Sequence, residues 1–164
     1  GATMVTADIG CYTLGALPPY SSIESCVCMG ASIGMAKGAA EAGFEHVVAV
    51  IGDGTFLHSG TASLADAAAA DTPMTVLILD NQATAMTGVQ DPLIASSRLQ
   101  AIVLGVGVKP EHFHIVDAHP RKVHETAAVL RKEMEHRGLS VVIAVRECKV
   151  AHAKHARIPE AVGS

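Results

Sequence analysis

Three stretches carry residue types able to hold an anion and a cation together. They are Gly52-Asp53-Gly54-Thr55, Asp80-Asn81-Gln82, and Asp8-Ile9-Gly10-Cys11 with the nearby Cys26-Val27-Cys28-Met29-Gly30. In the first, glycines on both sides of Asp53 permit a tight turn and close approach of the backbone to a ligand. A helix expected from about Ser59 would offer N–H groups and the positive end of its dipole to an anion. Asp53 is itself negative, so a lone phosphate would be repelled. A divalent cation between the two removes the conflict, because Mg²⁺ takes hard oxygen ligands and commonly shares one or two protein side chains with phosphate oxygens. Asn81 supplies a second, neutral oxygen. Gly-Asp-Gly alone is a common turn; its pairing with Asn81, with 26 residues between Gly54 and Asn81, is what points to chemistry.

The elements that must position these residues are legible as apolar runs. Met4 to Ala7, His46 to Ile51, Thr75 to Asp80, His114 to Asp117 and Ser140 to Arg146 read as about five strands. Their continuous β-branched character suits a parallel sheet covered on both faces. Helices are expected over Ala31 to Ala42, Ser59 to Ala70, about Ile94 to Leu104, and Lys122 to His136. Alternating strands and helices predict an α/β fold, a doubly wound parallel sheet with right-handed crossovers. Ligands of such sheets bind beyond the carboxyl ends of the strands, where the three stretches fall. Gly30, Gly34 and Gly38 recur every fourth residue, and that smooth face is expected to pack closely on the sheet.

Composition narrows the function classes. The 164 residues suit one domain, of a size that buries roughly 70% of its unfolded surface. We expect it to span residues 1–150, with 151–164 a tail or linker. The net charge is −4, and every Lys and Arg but Lys37 lies from Arg98 onward, so no basic stripe marks a nucleic-acid partner. No apolar run approaches the ~20 residues of a membrane-spanning helix, and the start lacks signal-peptide character; a soluble cytoplasmic protein is expected. Cys11, Cys26, Cys28 and Cys148 lack zinc-finger spacing and are expected to be reduced thiols, some lining a pocket.

The strings DIGCYTLGALPPY, CVCMGASIGMAKG, VVAVIGDGTFLHSG and LILDNQATAMTGVQ extend the pattern. Gly-Asp-Gly followed by Asn at this distance resembles the diphosphate-binding motif of thiamine diphosphate enzymes. Together the four strings resemble the C-terminal domain of the large subunit of indolepyruvate ferredoxin oxidoreductase, from about Val5 to Cys148. That resemblance implies Mg²⁺ ligands at Asp53, Asn81 and the carbonyl of Ala83. It implies that Met29 wedges beneath the cofactor and bends it, while the Val27 carbonyl accepts a hydrogen bond from the aminopyrimidine. Cofactor contacts are then expected from Val27, Cys28, Met29, Gly30, Gly52, Asp53, Gly54, Thr55, Asn81, Ala83, Thr84, Ala85 and Met86.

His58, in FLHSG, is either a substrate-side catalytic group or an exposed residue of a helix start. The implied reaction is oxidative decarboxylation of an aryl-pyruvate with coenzyme A, electrons passing through iron–sulfur clusters to ferredoxin. Those clusters would lie on a partner or another domain, since no ferredoxin-type cysteine run is present. The aminopyrimidine-activating glutamate belongs to a pyrimidine-binding domain or subunit that this sequence does not contain. The chain is thus expected to be half of a site, to act in an oligomer with that partner and a second oxidoreductase subunit, and to be inactive alone. Its interface would be a carboxyl edge lined by Ile9, Met29 and Met86. Alternatives are half of a sulfopyruvate- or phosphonopyruvate-type decarboxylase, a non-catalytic thiamine diphosphate-binding module, and a flavodoxin-like nucleotide domain.

Overall fold

A computed structural model describes residues 3–81 and 96–147. Six parallel strands form one sheet: β1 (Thr3–Ala7), β2 (Ser25–Cys26), β3 (His46–Gly52), β4 (Met74–Asp80), β5 (Phe113–Asp117) and β6 (Leu139–Val145), in the order β2-β1-β3-β4-β6-β5. The five expected strands are present. The sixth, β2, has only two residues, and backbone pairing of Thr6 with Ser25 and Ala7 with Cys26 creates it. No apolar run marks so short an edge strand in the sequence. Val47 to Ala49, Thr75, Val76 and Leu139 to Ala144 are buried, as strands covered on both faces require.

The helices are α1 (Ala31–Glu41), α2 (Asp53–Thr55), α3 (Thr61–Ala69), α4 (Ser96–Gly105) and α5 (Val123–Met134). Gly30 precedes α1 at φ +86°, where an L side chain would be strained. The helix expected from Ser59 begins at Asp53 instead. A single wide turn of π-helix, Phe56–Gly60, joins α2 to α3, so the segment is helical almost from the end of β3. This moves Gly-Asp-Gly from a loop into a first helical turn. Phe56 and Gly60 of the π turn are buried, and a methyl group added at Gly60 would stand 2.8 Å from the Ile51 Cδ1 and 3.1 Å from the Phe56 ring.

Ile33, Ala36 and Ala39 of α1 join Phe56, Leu64, Ala67, Ile51, Val76, Ile78 and Ile143 in the core. The small Ala side chains let helices approach the sheet closely, which is how a chain with 3% aromatic residues fills its interior. The glycine face of α1 does not meet the sheet as expected. A Cβ at Gly34 would lie 3.9 Å from Ser63 of α3, and one at Gly38 would meet nothing within 4 Å. The larger Ile33 takes the buried side because its apolar area repays burial and that of glycine does not. Among the described residues no helix is long and apolar enough to cross a membrane.

Candidate functional site

The chain leaves β1 for β2 on one side, then returns through α1 to β3 on the other. A crevice therefore opens between the carboxyl ends of β1 and β3, the place where open α/β sheets take ligands. Asp8 follows β1, and Gly52-Asp53 closes β3. One strand further, Gly52 pairs with Leu79, which brings Asp53 beside Asp80 and Asn81 at the end of β4. Parallel register thus places two carboxylates and a carboxamide at neighbouring strand ends.

Asp53 stands in the first helical turn, so its acidic group complements the helix dipole. Burial nevertheless raises its pKa to about 6; the Gly54 N–H opposes the rise, and the Asp80 charge adds to it. A partly desolvated carboxylate beside a second buried acid is poorly stabilised by protein alone, and a cation between them would relieve both terms. No cluster of three or more His, Cys, Asp or Glu side chains suited to a metal occurs among the described residues. The oxygens of Asp53 and Asn81 alone still fit Mg²⁺, which needs few protein ligands when phosphate oxygens and water complete its shell. The first-turn N–H groups next to Asp53 fit the phosphate.

Asp8, which opens the third stretch, and Tyr12, which the sequence did not single out, complete the frame. Asp8 is fully buried. Its Oδ1 accepts from the Ala31 N–H at 2.9 Å, and its Oδ2 accepts from the Ser32 hydroxyl at 2.6 Å. Tyr12 has its ring against Gly10 and its hydroxyl at 3.1 Å from the Gly52 nitrogen, whose N–H donates to it. Burial pushes the Tyr12 phenol up to about 12, so it stays protonated at neutral pH. The signal for both lay in their position directly after β1, at the point where the strand order reverses.

Residues 8–144 match the family described as thiamine pyrophosphate enzyme, C-terminal TPP binding domain. The chain belongs to this family. It is 35% identical over 167 residues to indolepyruvate oxidoreductase subunit IorA of Archaeoglobus fulgidus, an alignment covering 96% of this chain and 26% of that protein. It is 34% identical over 163 residues to the IorA of Pyrococcus abyssi, covering 87% of this chain and 25% of that one. The chain therefore spans about a quarter of the length of these curated relatives. A solved 2-oxoglutarate:ferredoxin oxidoreductase from Magnetococcus marinus superposes with a TM-score of 0.72 at 20% identity, over 98% of this chain and 62% of that one. A 4-hydroxybenzoylformate decarboxylase from Rhodococcus jostii superposes at 0.63 and 15% identity, over 89% and 30%. At such identities these two show the shared fold.

Within this thiamine pyrophosphate domain, Gly52, Asp53, Gly54, Thr55 and Asn81 converge at the β3 and β4 ends. Val27, Cys28, Met29 and Gly30 form the turn into α1, beside them across the crevice. The turn touches the π segment directly: a Cβ on Gly30 would come within 2.7 Å of the Ser59 Cβ. Val27 and Met29 are exposed, at 68% and 51% of their surface, and Ile9 at 44%. Leu14, Leu17 and Tyr20, on the segment after β1, are exposed as well. Ile9 and Met29, two of the three residues expected to line the carboxyl edge, are thus exposed. His58 is exposed on the π turn. Cys11, Cys26 and Cys28 are free thiols. Ala83, Thr84, Ala85, Met86, Cys148 and the expected tail lie outside the described residues.

Proposed function

We propose that the chain is the diphosphate- and Mg²⁺-binding half of a thiamine diphosphate site in a 2-oxoacid ferredoxin oxidoreductase acting on an aryl-pyruvate such as indolepyruvate. The observation that carries this reading is Asp53, held partly buried in a first helical turn beside Asp80 and Asn81 at the switch point of the sheet. Family membership and the naming of relatives as indolepyruvate oxidoreductase subunits support it.

When bound, thiamine diphosphate supplies the nucleophilic carbon and the electron sink for decarboxylation. This chain's residues hold and orient it. Asp53, Asn81 and the Ala83 carbonyl would ligate Mg²⁺, and Gly54 and Thr55 N–H groups would face the diphosphate. Thr84, Ala85 and Met86 would add further cofactor contacts. Val27, Met29 and their neighbours Cys28 and Gly30 would support the ring system and exclude water beneath it. His58 is assigned to the substrate side, where an imidazole can hold or move a proton. Overall, the 2-oxoacid loses carbon dioxide, its acyl carbon passes to coenzyme A, and the two electrons released leave singly for ferredoxin through iron–sulfur clusters on a partner. The exposed apolar edge at Ile9, Val27 and Met29 is the surface onto which a pyrimidine-binding domain would close.

Thermal unfolding with thiamine diphosphate, with and without Mg²⁺, tests the reading on this chain and on Asp53→Ala. A Mg²⁺-dependent rise in Tm, lost in the variant, is expected. A rise that ignores Mg²⁺ or survives the substitution would refute the assignment of Asp53. Once a partner is supplied, reduction of a viologen dye that requires coenzyme A separates an oxidoreductase from a simple decarboxylase.

A further inference from the structure

The stretch between β1 and the segment that follows it makes two ties that reach in opposite directions across the crevice. Toward α1, the Asp8 carboxylate accepts from the Ala31 N–H at 2.9 Å, the Ser32 N–H at 3.4 Å and the Ser32 hydroxyl at 2.6 Å. These groups follow Met29 and Gly30 directly, so the carboxylate pins the end of that turn. The Thr6 hydroxyl donates to the Ser32 carbonyl at 2.8 Å and ties the same turn of helix to β1. Toward β3, the Tyr12 hydroxyl accepts from the Gly52 N–H at 3.1 Å, one residue before Asp53. The loop carrying both side chains is itself closed: the Thr13 hydroxyl donates to the Asp8 carbonyl at 2.8 Å and accepts from the Gly10 N–H at 2.9 Å.

Two consequences follow from elementary electrostatics. First, a buried carboxylate already satisfies the N-terminus of α1, where an open fold of this kind could otherwise attract a phosphate. The helix that starts at Asp53 remains as the helix end at the crevice. Second, the turn bearing Met29 and the turn bearing Asp53 are far apart in sequence, yet each is tied to the same short loop. A shift of that loop moves both.

Given the function proposed above, we infer that Asp8 and Tyr12 are positioning residues: Asp8 holds the Val27–Gly30 turn and Tyr12 holds the Gly52–Asp53 turn, keeping the ring-facing and diphosphate-facing halves of the site in register. The two ties act on different parts of the ligand, which makes them separable. Loss of the Tyr12 hydroxyl loosens the diphosphate turn. Loss of the Asp8 carboxylate loosens the turn beneath the rings.

Isothermal titration of the chain with two probes, Mg²⁺–thiamine diphosphate and Mg²⁺–pyrophosphate, tests this. The variants are Tyr12→Phe, Asp8→Asn and Asp8→Ala, each checked for cooperative unfolding. Tyr12→Phe, which keeps the ring, is expected to weaken both ligands by about fivefold, the worth of one hydrogen bond. Asp8→Ala is expected to weaken thiamine diphosphate by about tenfold, for the loss of charge-assisted bonds, with pyrophosphate unchanged. Asp8→Asn, whose side-chain oxygen still accepts from Ala31, is expected to fall between wild type and Asp8→Ala. Should Asp8→Ala not fold, Asp8→Asn and Tyr12→Phe carry the test. A merely structural role would lower both affinities together in the Asp8 variants, and that result, or no change in any variant, would overturn the inference. A wild-type chain that binds neither probe would overturn the proposed function itself, and the inference with it.

Discussion

Replacing Asp53 with Asn should make the ligand-free chain more stable, not less. In the folded chain, burial and the Asp80 charge raise the carboxyl from 3.8 to about 6, against the Gly54 N–H. One pKa unit corresponds to about 1.4 kcal/mol, so the full shift would cost the ionised form about 3 kcal/mol. Asp53 keeps part of its surface in water, and solvent screening reduces this to about 1–2 kcal/mol. The sign follows from linkage. Below about pH 4 both folded and unfolded chains carry the proton and Asp53 costs nothing. Between about pH 4 and 6 the unfolded chain ionises while the folded chain does not, so stability falls as pH rises; above pH 6 the deficit is constant. Asn has the same shape, keeps an acceptor for the Gly54 N–H and never ionises. Urea denaturation should show a midpoint higher by roughly 0.5–1 M at pH 7.5, taking a slope of roughly 2 kcal/mol/M. The gain should vanish near pH 4. A midpoint unchanged or lower at pH 7.5, or a gain that persists at pH 4, would refute the reasoning. The same substitution should abolish the Mg²⁺-dependent response, since it removes the charge of the proposed Mg²⁺ ligand.

Gly60→Ala should lower stability by about 1–3 kcal/mol through overpacking, because its methyl group would meet Ile51 at 2.8 Å and Phe56 at 3.1 Å; urea denaturation reads it, and an unchanged midpoint would mean that the π turn yields. Glu133 is buried and accepts from His112 at 2.9 Å, His114 at 2.7 Å and the Ser140 hydroxyl at 2.9 Å. Burial pushes its carboxyl up, but the bonds from His112, Ser140 and His114 prevail and hold it below the usual value of 4.5. Its stabilisation is therefore complete above the unfolded value and lost as pH falls through the lower folded value. Glu133→Gln should cost about 2 kcal/mol at neutral pH, and the loss of stability that wild type shows below about pH 4.5 should shrink in the variant when Tm is followed from pH 6 to 3. An equal acid response in both proteins would place the sensitivity elsewhere.

Much of the architecture was legible in the residues. The apolar runs of β3, β4 and β6 are strands because continuous β-branched sequence has its lowest free energy where both faces are covered, and in all five runs each boundary fell within one residue. The closeness of Asp53 and Asn81 was legible because two strand ends separated by one helix must be close if those strands are neighbours, and β3 and β4 are. The start of the helix after β3 was misread. Two glycines argue for a loop by intrinsic propensity, yet Asp53 and Gly54 are helical. Packing of Phe56 and Leu64 into the core outweighs that cost. The glycine repeat of α1 misled in the opposite way, since periodicity shows which residues share a face but not what that face meets.

By itself, then, the sequence determined the layer architecture and brought Asp53 and Asn81 to neighbouring strand ends, because strand and helix periods and the spacing between them are local properties of the chain, and its four strings carried the resemblance to the family that the comparisons show. Tertiary structure alone decided the roles of Asp8, Tyr12 and Asp80. Asp8 became a helix cap only because β1 ends beneath α1, and Tyr12 became an acceptor only because β3 lies beside β1. Asp80 raises the pKa of Asp53 only because β4 flanks β3 in register. Burial and charge proximity depend on which strands are neighbours, and neighbour order in a parallel sheet is a property of the whole fold rather than of any segment.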